Sequence, residues 1–193
     1  DLGRFDFIHA AAHTELNDQY PWRSAILLAS TDSTGAARRW PAEEIARASL
    51  AARLVVLSGC ASAGGSPIPG EGVLGISTAF LAAGATSVVA TFWPVEDEAA
   101  RTFVGRFYDA LARGGPVGEA LRRAKRETAA SARYGDPFYW AGFVLIGDPD
   151  LRLPLERRNE RADLWWLAGL AILAVAGFFS GRVIRRRPRA THR

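Results

Sequence analysis

The 193-residue sequence holds one cysteine and no methionine. A single cysteine rules out an intrachain disulfide framework and a multi-cysteine metal site. It leaves the thiol of Cys60 to be explained. No methionine stands even at position 1, and Asp1-Leu2-Gly3-Arg4 runs almost directly into apolar residues with no signal-like region, so the chain reads as a piece of a longer protein. Internal repeats are absent too. The formal net charge of +4 owes much to Arg182, Arg185, Arg186, Arg187, Arg189 and Arg193. Without that tail the balance is slightly negative, which leaves a basic nucleic-acid-binding face on the domain unsupported. What is there, 49% hydrophobic and 23% charged residues, suits one packed domain with additions.

Along the chain, Phe5 to Ala12 is a short apolar run with aromatic and β-branched residues, expected as a buried strand ending near His13. Ser24 to Ser30 reads as a second strand. Pro41 to Leu50, with Glu43 and Glu44 in its opening turn, reads as a short helix. Leu54 to Leu57 is a continuous apolar strand, followed by Ser58-Gly59-Cys60 and a Gly/Ser/Pro stretch to Pro69. The small-residue run Gly72 to Ala83, closed by Gly84, is expected as a helix, and Thr86 to Trp93 as a buried strand stopped by Pro94. Amphipathic helices are expected over Glu96 to Arg113 and Val117 to about Arg133, and a last strand over Tyr139 to Ile146 before Gly147-Asp148-Pro149. This alternation implies an α/β fold in three layers, a largely parallel sheet covered by helices on both faces.

The domain is expected to span residues 1–153, followed by a charged linker over 154–163. Leu164 to Gly181 then carries no charge across 18 residues. At about 1.5 Å per residue it would span roughly 27 Å, close to a bilayer's hydrocarbon core. Trp165-Trp166 at one end and an arginine cluster in the 182–193 tail fit the two interfaces. A single-pass membrane helix at 164–181 is therefore expected. Five arginines from Arg182 to Arg189 favour a cytoplasmic tail, whereas Arg157, Arg158 and Arg161 weigh for the other flank.

Catalytic groups in open α/β sheets gather beyond the carboxyl ends of strands. His13 and Cys60 both fall there. A lone cysteine is usually a small buried hydrophobe. Cys60, however, follows a strand and opens a loop whose backbone N–H groups could bind an oxyanion, and a neighbouring imidazole could take its proton. His9 competes with His13 for that part, since both have the same strand parity; His13 lies nearer the strand's end. Gly70-Glu71-Gly72-Val73-Leu74-Gly75 matches GxGxxG, but it lies far from the preceding strand and puts a carboxylate where a phosphate would approach, so nucleotide binding is rejected. Glu96 and Asp97 either open a helix or form an acidic pocket for a basic side chain.

The ordered blocks His9-Ala10-Ala11-Ala12-His13, Ser24-Ala25-Ile26-Leu27-Leu28, Leu54-Val55-Val56-Leu57-Ser58-Gly59-Cys60, Gly84-Ala85, Phe92-Trp93-Pro94-Val95-Glu96-Asp97 and Tyr139-Trp140-Ala141-Gly142-Phe143 resemble the second half of a CHAT domain, a relative of caspases and separases. The resemblance covers about Phe5 to Gly147. It implies a caspase–haemoglobinase-like fold and cysteine endopeptidase activity on protein or peptide substrates, with the first half of the domain, and often helical repeats or a sensor region, upstream. His13 matches the family's catalytic histidine, Cys60 its nucleophile, and Asp97 an acidic position that receives an arginine side chain in separases; His9 matches an upstream strand position. Backbone N–H groups at Thr14 and Cys60 are the implied oxyanion hole. Thr14 replaces the family's usual glycine, and Ala61-Ser62 its usual Glu-Thr. The implied acyl transfer calls for no cofactor or metal. The competing expectation is a non-catalytic, membrane-tethered interaction module of the same fold.

Overall fold

The computed structural model describes residues 3–17, 19–29, 37–58, 67–68, 72–73 and 75–154. All belong to one unit bounded at Asp1–Leu155. Cys60, the 155–163 stretch, the expected membrane helix at 164–181 and the 182–193 tail lie outside the described residues. Among the described residues, no helix is long and apolar enough to cross a membrane.

Four strands make the central sheet: β1 (Phe7–Ala10), β5 (Leu54–Leu57), β8 (Ser87–Thr91) and β9 (Phe143–Gly147), in the order β1-β5-β8-β9. β1, β5 and β8 are parallel; β9 runs antiparallel to β8. β5 and β8 are buried along their whole length, which is why their sequences are unbroken apolar runs.

Alternation then divides the core in two. Leu54, Val56, Val89 and Phe143 face the long helices α3 (Asp97–Leu111) and α4 (Val117–Ala129). Val55, Leu57, Val88 and Ala90 face α1 (Ala42–Ala46) and α2 (Ile76–Ala82). Helices on both faces of a largely parallel sheet give the three expected layers. In α3, Ala99, Ala100, Phe103, Val104, Phe107, Ala110 and Leu111 are buried at helical spacing, and Phe103 stacks on Phe143 with ring centroids 3.9 Å apart. Fully burying one such ring is worth about 1.5–3 kcal/mol.

Four expectations need correction. The apolar run at Ser24–Ser30 forms β3 (Ala25–Leu28), which lies outside the parallel sheet. It is the middle of a three-stranded antiparallel sheet with β2 (Thr14–Glu15) and β4 (Arg38–Pro41). The expected helix at Gly72–Ala83 begins only at Ile76; Gly72–Val73 is instead strand β7, paired antiparallel with β6 (Pro67–Ile68). The last strand starts at Phe143, because Pro137–Tyr139 coils into a 3-10 turn capped by the Asp136 carboxylate on Phe138 N. Finally, β1 covers Phe7–Ala10 and not the whole apolar run.

Two glycines close elements sharply. Gly84 ends α2 with φ +111°, and the amides of Gly84 and Ala85 bond back to Leu81 and Phe80. Gly147 ends β9 with φ +110°, where a Cβ would collide with the Thr86 carbonyl oxygen.

Candidate functional site

β1 and β5 are parallel neighbours, registered from Phe7 opposite Leu54 to Ala10 opposite Leu57, so their carboxyl ends lie side by side. The ladder continues one residue further, with Ser58 N donating to Ala10 O at 3.1 Å. Beyond those ends the chain opens a cleft of about 610 Å³. One wall is the β1 exit, with His9, Ala11, Ala12 and His13, joined by Ser58; the opposite wall is one face of α3, with Asp97, Arg101, Gly105 and Tyr108 at helical spacing.

His13 lies between β1 and β2 with its side chain exposed. Its backbone is held by Leu27 N, which donates to His13 O at 2.9 Å. That bond also shows that Thr14 and Ile26 face each other as a pair that does not exchange hydrogen bonds, which turns the Thr14 amide away from β3. Thr14 itself sits in extended β2, a conformation that suits a β-branched residue.

Asp97 is the first residue of α3, where a carboxylate meets the positive end of the helix dipole, and it lines the cleft. Glu96 caps the same helix through its backbone, accepting from Ala100 N at 2.8 Å, and is not part of the cleft lining. Trp93 just upstream donates from Nε1 to Phe138 O at 2.9 Å, which ties the Trp-Pro-Val segment to the turn before β9.

His9, weighed against His13 in the sequence, takes another partner here, and Tyr108 is a participant that sequence patterning did not single out. His9 Nε2 stands 2.9 Å from Ser58 Oγ. Its ring meets Tyr108 edge-on, 5.6 Å between centroids, and burial holds its pKa below the ordinary 6.5. Tyr108 reaches the cleft from α3, and its hydroxyl, buried and without a hydrogen-bond partner among the described residues, has its pKa pushed up by burial. The signal that could have found Tyr108 is the helical spacing Asp97, Arg101, Gly105, Tyr108. No group of three or more His, Cys, Asp or Glu side chains able to hold a metal occurs among the described residues.

A largely parallel sheet covered by helices on both faces, with a cleft where two parallel strands end, defines a three-layer α/β protein. Residues 1–148 match the family described as "CHAT domain", and the chain belongs to that family. It is similar to Tetratricopeptide repeat protein 28 of Homo sapiens, 38% identical over 104 residues that make up 54% of this chain and 4% of that protein. The Mus musculus protein of the same name matches with the same identity and coverage. The chain thus spans a small part of the length of these relatives. Among solved structures, the separase–securin complex of Saccharomyces cerevisiae aligns with a TM-score of 0.45 and 21% identity, covering 55% of this chain and 7% of that one.

Proposed function

We propose that this chain is the catalytic part of a caspase-like cysteine endopeptidase, anchored in a membrane by residues 164–181. The reading rests on the cleft at the paired ends of β1 and β5, where His13, Ser58 and Asp97 share one lining and Cys60 follows Ser58 by two positions in sequence.

In this mechanism His13 takes the Cys60 proton as the sulfur attacks a substrate peptide carbonyl. The developing oxyanion is met by backbone N–H groups of Thr14 and Cys60. His13 then returns the proton to the leaving amine, and water, deprotonated by His13, hydrolyses the thioester. Asp97, with Glu96 adding charge nearby, receives a basic substrate side chain. Cys60 is the chain's one thiol, so a peptide acyloxymethyl ketone can report on it alone. Labelling is expected to need His13 and to vanish in Cys60→Ala, together with proteolysis; proteolysis retained by purified Cys60→Ala would sink the reading. Membrane anchoring is checked by liposome flotation of the chain with and without residues 164–193.

A second reading, a non-catalytic scaffold of the same fold, is favoured by Thr14, which puts a side chain where the family's usual glycine stands. A relative named for tetratricopeptide repeats fits helical repeats upstream and protein partners. Labelling of Cys60 that ignores His13→Ala would select this reading.

A further inference from the structure

His9 takes no part in the proposed dyad, yet it links two strand ends. Register puts His9 opposite Val56, so Ser58 lies two residues further along the neighbouring strand, about 6.5 Å at the usual strand rise. A short polar side chain at position 9 would fall short of that hydroxyl. An imidazole spans it, and Nε2 arrives 2.9 Å from Ser58 Oγ. Parity puts Phe7 and His9 on the same face of β1, the face covered by α3. There the ring of Tyr108 meets both edge-on, each 5.6 Å between centroids, and fixes the direction of the imidazole.

Ser58 is the last described residue at the β5 exit. Gly59 follows, the residue with the most backbone freedom, and then Cys60. The Ser58 backbone, bonded to Ala10, and its hydroxyl, bonded to His9, are therefore two anchors that fix the β5 exit at Ser58.

We infer that His9 and Ser58 are a positioning pair: the imidazole holds the Ser58 hydroxyl at the β5 exit, two residues ahead of Cys60 in sequence, and the reactivity of Cys60 depends on that hold. The inference rests on the proposed nucleophilic role of Cys60. His9 is exposed on one side and its ring meets Tyr108 edge-on; its partial desolvation favours the neutral imidazole, which can serve the hydroxyl as acceptor or donor.

The test is the rate at which iodoacetamide alkylates the full chain, whose one thiol is Cys60. At pH 7 the parent is expected to react at least fivefold faster than His9→Phe or Ser58→Ala. The double variant should be no slower than the worse single variant, because both remove one bond. His9→Gln and Ser58→Thr, which keep a partner for that bond, should stay within twofold of the parent. Melting curves confirm that each variant is folded; if one of His9→Phe and Ser58→Ala is not, the other carries the test, and an unchanged rate in it overturns the positioning role. Unchanged rates in both His9→Phe and Ser58→Ala, or effects that multiply in the double variant, overturn the positioning role. An unchanged rate in His13→Ala beside slowed His9 and Ser58 variants overturns the dyad and leaves the positioning pair standing.

Discussion

The indole of Trp93 lies on the backbone of Gly142 so closely that a Cβ built at residue 142 would come within 2.7 Å of Trp93 Cε2. The same pair of segments is joined by Phe92 N donating to Gly142 O at 3.0 Å and by Trp93 Nε1 on Phe138 O. Gly142 is thus required for close approach, and it binds the β8 exit to the β9 entry just before Asp97 starts α3.

Gly142→Ala is expected to cost about 1–3 kcal/mol, because the large ring must shift within a packed layer. Urea unfolding followed by circular dichroism measures it. A midpoint unchanged from the parent would show that the indole has room to move.

His9 gives a pH dependence with a definite sign. Its folded pKa is lowered by burial, so between 6.5 and that lower value the unfolded chain holds more protons than the folded one. Stability contributed at this position is complete above 6.5 and falls as the pH drops through 6.5. The parent should therefore lose stability relative to His9→Gln between pH 7 and pH 5. Denaturant titrations of both at several pH values check this, and an imidazole NMR titration places the His9 transition directly.

Gly105 lies on the cleft face of α3, exposed, and a Cβ there would meet nothing within 4 Å. Gly105→Leu should therefore be accepted by the fold and even gain about 0.5–1 kcal/mol from helix propensity. It would fill the cleft between His13 and Asp97. We expect a melting temperature equal to or above the parent's, with kcat/KM for peptide cleavage reduced at least tenfold. Unimpaired cleavage would place substrate elsewhere.

Lys125, on α4, is half-buried, with Nζ donating to Ala141 O at 3.3 Å, and burial lowers its pKa. The charged form is thus disfavoured in the folded protein, and the folded chain binds fewer protons than the unfolded chain as pH approaches 10.5 from below. Stability should rise with pH in that window for the parent but not for Lys125→Met. At pH 7, where the charge is present, Lys125→Met should match or exceed the parent in thermal melting.

The expected elements that held are those written in short-range patterns. Leu54–Leu57 and Ser87–Thr91 are legible because a strand buried on both faces must be apolar at every position. α3 and α4 are legible because their apolar residues recur at the helical period between an acidic start and a terminating glycine or polar turn. The Ser24–Ser30 run shows where such reading stops. Its apolar stretch announced a strand correctly but carried no information about which strand it would pair with, and it joined β2 and β4 instead of the parallel sheet.

For the site, local pattern was enough to put His13 at a strand end and Asp97 at a helix start, and the ordered family blocks carried the rest of the expectation. The sequence by itself thus determined the layers of the fold, because burial periodicity and turn chemistry act over a few residues. Only the tertiary structure decided that His9 reaches Ser58, that Tyr108 meets His9 edge-on, and that Trp93 needs Gly142 bare. Each depends on strand register or helix placement between segments distant in the chain, and those are set by the packing of the whole core.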